Sequence, residues 1–386
     1  MGKPSKAKPG QGRRQGDQKR ERARAVSRPR FAEFFAGAGL FRLGLEAAGW
    51  ECVFANDNDP NKAAIYRANF GGGHFAEEDV RKLDVKLLPQ CDLATASFPC
   101  TDLSLAGGRS GLSGKRSSAF YGFVQALEKI GSRRPPMVLL ENVPGLLTSG
   151  GGKDIQKALA AISGLGYRLD MFIMDARWFT PQSRPRLFIL GTNRKMSAGR
   201  KAFKERDPRL KSPAIERAVR SARNVEWNFI EIPSPPDASS QILADILEKD
   251  GEAKWWDAAR TAKLISRIGE NRIGEVEEAI SGRRTTYATV FLRMRKGIVM
   301  AEPRMDGLAG CLRTPRGGSS RQILLRMGGG QAMARYLTAR ECGRLQGVDG
   351  GYILPKSQSA GLFAFGDAVC APLIEWIAAN VLNPLL

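Results

Sequence analysis

The stretch RFAEFFAGAGLFRLGLEAAGWECVFANDNDP, residues 30–60, decides the fold. A short aromatic strand over residues 31–35 runs into the turn Gly37-Ala38-Gly39. A helix over 40–48, a strand over 52–55 and a helix over 60–69 follow, the last opened by Pro60 at its first position. The rhythm continues with a strand at 93–96, a glycine-rich loop at 107–114, a helix at 118–130 and an apolar strand at 137–140. A helix at 153–162 then leads to strands near 169–174 and 187–190. Strands alternating with helices predict an α/β fold, a mostly parallel sheet with helices on both faces, whose ligands sit at the carboxyl ends of the strands.

The rhythm stops near Asn193. Beyond it come Lys/Arg-rich stretches, the Trp255-Trp256 pair and a basic segment at 283–296 with Tyr287 and Phe291 interleaved. Four parts are expected: a disordered basic arm at 1–30, a first domain at 31–192, a smaller second domain at 193–335, and a segment at 336–386 that returns to the first domain. No internal repeat is visible.

Over 386 residues, 60 Lys and Arg against 39 Asp and Glu leave a net charge of +21. Such a field attracts polyanions, nucleic acid first. The first 30 residues carry 11 Lys or Arg and two acids, yet the rest of the chain is strongly basic as well. The six cysteines contain no CxxC pair, which argues against zinc ribbons and thioredoxin-type sites. The N-terminus has no apolar signal core and no run of about 20 apolar residues stands out, so a cytoplasmic protein without membrane contact is expected. The single histidine, His74, lies in a glycine-rich turn, so histidine-based catalysis or metal binding would rest on that one residue. The chemistry falls to Cys, carboxylates, Arg or Lys.

Those residue types gather at strand ends. The turn from Phe35 to Leu40 opens a helix, where backbone approaches a ligand closely and the helix N-terminus favours an anion. It is not GxGxxG, because Arg42 stands where the last glycine belongs. Asp57 ends the second strand and Asp79-Val80 supplies a third acidic step. Glycine, acid and acid at successive strand ends suit a nucleoside with an amino-acid tail and no pyrophosphate, so S-adenosylmethionine rather than NAD. Ser97-Phe98-Pro99-Cys100 ends the fourth strand, a placement that favours a reactive thiolate over a structural thiol. Glu141 follows four apolar residues, a costly place for a carboxyl without a task or partner. Arg184 and Arg186 stand at alternate positions, on one side of an extended segment.

The order FAGAGL, Asn56-Asp57-Asn58-Asp59, Asp79-Val80, SFPC, ENV, QSRPR, LTARECGRLQG at 337–347 and Gly366-Asp367-Ala368-Val369 resembles the DNA cytosine-5 methyltransferases, of restriction-modification or orphan type. The resemblance covers 31–192 and 308–384. It implies a fold of the S-adenosylmethionine-dependent methyltransferase kind. Phe35, Gly37, Ala38, Gly39, Leu40, Asp57, Asn58, Asp79, Val80, Pro99, Asp367 and Val369 would then bind the cofactor.

It further implies that Cys100 adds to C6 of a flipped-out cytosine. Glu141 donates a proton to N3, and Arg184 or Arg186 faces the developing oxyanion at O2. No metal is required. The loop at 106–118, with Arg109, Lys115 and Arg116, reads as a lid over the flipped nucleotide, and Arg313 and Arg316 as DNA contacts. The family commonly has a large apolar residue where Asn58 stands, a change worth about 1 kcal/mol of lost stacking. The expected partner is double-stranded DNA, met by a monomer, with any cognate restriction endonuclease acting independently. RNA methylation and non-catalytic DNA binding are the alternatives; zinc deamination lacks its HxE and PCxxC spacing.

Overall fold

The computed structural model describes Gly2 and residues 28–98, 118–194, 199–314 and 321–386. The expected basic arm and the glycine-rich loop lie outside them, save for a few edge residues. Among the described residues seven strands form the main sheet: β1 (Arg30–Phe34), β2 (Glu51–Asp57), β3 (Phe75–Glu77), β4 (Leu93–Ala96), β5 (Met137–Asn142), β6 (Arg168–Asp175) and β7 (Pro185–Thr192). Their order is β3-β2-β1-β4-β5-β7-β6. All neighbours are parallel except β7, which runs against both β5 and β6. The mostly parallel sheet read from the sequence is what forms.

The sheet is covered on both faces, which explains why β4 and β5 are buried at every position instead of alternating. One core cluster joins Phe31, Leu139, Phe172 and Phe188 to helices α1 (Leu40–Ala47) and α2 (Pro60–Phe70). On the other face Ala32, Phe34, Val138 and Leu140 meet α3 (Ser118–Ile130) and α4 (Lys153–Gly164). Alternate residues of β1, β5 and β7 thus point to opposite clusters, as the pleat requires.

The sequence reading starts a second domain at residue 193, and residues beyond that point still pack on the main sheet. Helix α5 (Gly199–Glu205) and helix α6 (Pro213–Ser221) lead into a segment that stays on the main sheet. Arg206 is buried against Asp170 of β6 at 2.9 Å, Leu169 bridges to Trp227, and Ile215, Ala218, Leu243 and Ile246 belong to the two cores. High Lys/Arg density and the lost strand–helix rhythm made this region read as part of a second domain. One of those cations is instead desolvated into the sheet with a carboxylate partner, which composition does not reveal.

The second unit is a four-stranded antiparallel sheet of β8 (Thr286–Arg295), β9 (Ile298–Arg304), β10 (Ile323–Gly328) and β11 (Gln331–Tyr336), in the order β11-β10-β8-β9. Helices α7 (Ala258–Ile265) and α8 (Glu270–Ser281) close its own core around Leu264, Val276, Val290 and Leu325.

The remaining chain, with α9 (Ala339–Leu345), α10 (Gln358–Gly366) and α11 (Ala371–Ile377), returns to the main sheet as expected. Gly44 of α1 allows this: a Cβ there would lie 2.5 Å from the Ala371 carbonyl and 2.6 Å from Ile374. The apolar stretch Gln358–Leu385 is long enough to cross a bilayer, but it is broken at residues 367–370 and mostly buried against α1 and its neighbours.

Candidate active site

The first half of the site is the turn between β1 and α1. Phe35, Gly37 and Gly39 all take positive φ, at 58°, 57° and 79°, so the chain reverses within five residues. The Gly37 N–H donates to Asp57 Oδ2 at 2.8 Å and the Asp59 N–H to Oδ1 at 2.9 Å. Asp57 is therefore buried and held by backbone donors from two strand ends. Burial pushes its carboxyl above the usual range, against the opposing pull of Lys62. Ala38 and Leu40 are buried supports of the turn, and Asn58 is exposed.

Gly39 is pressed from behind. A Cβ there would stand 2.4 Å from the Phe70 ring, on a backbone at φ 79°. Gly39→Ala is expected to lower stability by about 1–3 kcal/mol, read as a drop in Tm.

Asp79 and Val80 lie where the acidic step was expected, but the Asp79 carboxylate is already engaged. It accepts from the Arg81 N–H at 3.0 Å and from Arg81 Nε at 2.9 Å, and these bonds hold it down to about 2. Asn56, given no role from sequence, is buried and donates to the Ala76 and Glu78 carbonyls at 3.0 and 2.7 Å, fixing the end of β3. From the C-terminal segment Asp367 reaches Lys62 at 2.7 Å, beside Asp57, and Val369 is buried in the same core. Lys62 was invisible to sequence reasoning because its partner lies 305 residues away.

These residues fit a nucleoside with an amino-acid tail. Glycine backbone, a buried acid and the buried hydroxyl of Ser97, which has no partner among the described residues, converge at the ends of β1, β2 and β4. His74 belongs elsewhere: it sits with Arg42 and Tyr66, and burial, then Arg42, lower its basicity.

The second half lies at the ends of β4, β5 and β7. In the antiparallel register Glu141 faces Phe188, so Arg186 is its diagonal neighbour on the same face. Arg186 Nε meets Glu141 Oε1 at 2.8 Å, with both side chains nearly buried. Arg184 turns elsewhere. Its Nη1 donates to the Leu312 carbonyl at 2.8 Å and its Nη2 to the Ala368 carbonyl at 2.6 Å, at 1% exposure. Of the two arginines offered as alternatives from sequence, Arg186 is the one paired with Glu141, and Arg184 is held mainly by main-chain carbonyls.

Asn142, quoted in the motif but given no task, donates to the Phe98 carbonyl at 3.1 Å and accepts from the Val143 N–H at 2.9 Å. It ties the end of β5 to the residue two places before Cys100. Gln182 donates to the Leu345 carbonyl at 2.9 Å and accepts from the Leu312 N–H at 3.1 Å, clamping the C-terminal segment to the site. Arg313 is exposed beside Gly366, at the junction of the two units. Pro99, Cys100, Arg109, Lys115, Arg116 and Arg316 lie outside the described residues.

The C-5 cytosine-specific DNA methylase family matches residues 29–383. The type II methyltransferase M.DsaV of Dactylococcopsis salina is 27% identical over 362 residues, which span 92% of this chain and 86% of its own. M.HhaI of Haemophilus parahaemolyticus is 26% identical over 361 residues, 91% and 94% of the two chains. Among solved structures, the S. pombe Dnmt2 methyltransferase has a TM-score of 0.56 at 19% identity, covering 93% of this chain and 99% of its own. The Entamoeba histolytica methyltransferase EhMeth has a TM-score of 0.58 at 14% identity, with the same two coverages. At those identities the two structures bear on the fold alone. With one family spanning both halves of the site and the returning C-terminal segment, the chain belongs to the C-5 cytosine-specific DNA methylases.

Proposed function

We propose that this chain methylates C5 of a cytosine extruded from a specific site in double-stranded DNA, through transient addition of Cys100 to C6. The observation that carries this reading is the buried Glu141–Arg186 pair at the ends of β5 and β7, on the face shared with the cofactor turn. S-adenosylmethionine is the methyl donor of the family and supplies an electrophilic sulfonium methyl when bound. Gly37, Gly39, Asp57 and Val369 would hold it, with Lys62 and Asp367 closing one side.

Cytosine C5 is a poor nucleophile until a group adds at C6. The Cys100 thiolate forms that bond, and the electron pair it displaces moves toward N3 and O2. Glu141 delivers a proton to N3, and Arg186, its partner, stabilises the charge at O2. A carboxylate paired with a guanidinium serves both ends of the same amide-like group. Arg184 acts as a brace, linking β7 to the Leu312 and Ala368 carbonyls. After transfer a base removes the C5 proton and the Cys100–C6 bond breaks. We assign target reading to the second unit and the junction at Arg313, lid closure to residues 106–118, and the site of action to the cytoplasm, on a monomer.

Expression in a host without cytosine methylation, followed by bisulfite sequencing of its plasmid, tests activity and target together. Protected cytosines at one recurring sequence are expected. Methyl incorporation into structured RNA with none into duplex DNA would overturn the substrate assignment.

The basic arm offers a separate prediction. Removing residues 1–28 is expected to weaken DNA binding mainly at low salt and to flatten the plot of log affinity against log salt by about one for each phosphate that the arm neutralises. Filter binding across a salt series reads this. An unchanged slope would mean that the arm does not touch DNA.

A further inference from the structure

Among the described residues, four of the five cysteines behave as small apolar side chains. Burial pushes Cys52 and Cys91 up to about 12 and Cys370 up to about 11, and raises Cys342 as well. Cys311 is different. It is half-buried, its Sγ accepts from Arg184 Nη1 at 3.2 Å, and both Nη atoms of Arg186 lie 3.9 Å away. Burial acts to raise its thiol, but the pull of Arg184, Arg186 and Arg313 outweighs that and brings it below the ordinary range. The Leu312 carbonyl, 3.5 Å from the sulfur, takes the thiol hydrogen when there is one.

We propose that Cys311 is a positioning residue for methyl transfer, its sulfur taking N–H groups from both arginines and holding the Arg186 guanidinium against Glu141. This rests on the roles assigned above to Glu141 and Arg186. Arg184 and Arg186 bring two guanidiniums to one sulfur, and two like charges at such range repel unless anions lie between them. Glu141 pairs with Arg186, whereas Arg184 has no carboxylate within ion-pair reach among the described residues. Besides Cys311, its Nη groups are given to main-chain carbonyls, and its Nε has no partner among the described residues.

The sulfur is thus the side-chain atom within hydrogen-bonding reach of both guanidiniums among the described residues, with Glu141, Arg313 and Asp367 the other charges that act on this cluster. Its importance rises during the reaction. When Glu141 carries the proton bound for N3 it is neutral, and the Cys311 sulfur remains as an acceptor beside the guanidinium pair. It forms no bond to the base; that step belongs to Cys100.

The test uses the full chain and two substitutions of similar volume. Cys311→Val removes the acceptor, and Cys311→Ser keeps one. Single-turnover methyl transfer is expected to slow about tenfold or more in the valine variant, with affinity for a target duplex changed less than about twofold, while serine stays within about threefold of wild type. A valine variant at the wild-type rate, or a serine variant as slow as valine, would overturn the proposal.

A second readout needs no activity. Peptide mapping after brief iodoacetamide pulses is expected to show Cys311 reacting at half its maximal rate at a lower pH in the folded wild type than in the urea-unfolded chain. An equal or higher pH would break the link to the arginines whatever the rates show. An inactive wild type would instead sink the methyl-transfer reading, leaving the alkylation profile to decide on the cluster.

Discussion

Cys100→Ala is expected to abolish methyl transfer, a loss of more than about 10⁴-fold or roughly 5 kcal/mol in the barrier, while specific DNA binding survives. The reason is electronic. Without addition at C6, the carbon that must attack has no enamine character, and neither Glu141 nor Arg186 can supply it. Contacts that extrude the base and grip the duplex come from other groups, so the gel-shift affinity for a target duplex should change little. Tritiated-methyl incorporation measures the first effect. A duplex carrying 5-fluorocytosine at the target gives an independent view, because the fluorine blocks proton loss at C5 and traps the adduct. Wild type should form a denaturation-resistant complex through residue 100 and the variant none. Turnover by the variant would remove the nucleophile from the scheme.

Glu141→Gln should slow single-turnover transfer by about 10²–10³-fold, the usual worth of a positioned general acid. Glutamine matches the carboxyl in size and can still accept from Arg186 Nε, which now lies 2.8 Å from Glu141 Oε1. What it cannot do is deliver a proton to N3, so negative charge builds on the ring unrelieved. DNA affinity should stay within a few-fold. The adduct with 5-fluorocytosine should still form, but slowly, which separates this variant from Cys100→Ala. An unchanged transfer rate would take the proton-donor task away from Glu141 and leave the pair as packing alone.

Much of this site was legible before any coordinates. The turn from Phe35 to Leu40, the acids at Asp57 and Asp79 and the strand ending in Glu141 announce themselves because strand, turn and helix each leave a local mark. Predicted and observed edges of the elements differ by at most two residues, and α3 and β4 coincide with their expected ranges. What sequence reading could not supply is equally specific. It left open whether Arg184 or Arg186 faces the oxyanion, because both sit at alternate positions of one strand. It assigned residues 193–335 to one smaller domain, whereas residues 199–247 pack on the main sheet, because charge density says nothing of which cation is desolvated. It offered Asp79 to a ligand without seeing that Arg81, two residues on, occupies it.

Local periodicity, charge and the chain order of a few motifs therefore determined the class of fold, the family and the set of residue types able to act on a pyrimidine. The alignment of β5 against β7 decided that Arg186 meets Glu141. The return of the C-terminal segment decided that Arg184 spends its donors on Leu312 and Ala368. The close approach of residue 311 decided that a cysteine unmarked by any motif lies between two guanidiniums. These choices escape the sequence for one physical reason. Side-chain alternation tells which face a residue is on, but its partner across that face depends on register and on chain segments more than a hundred residues away, set by packing of the whole.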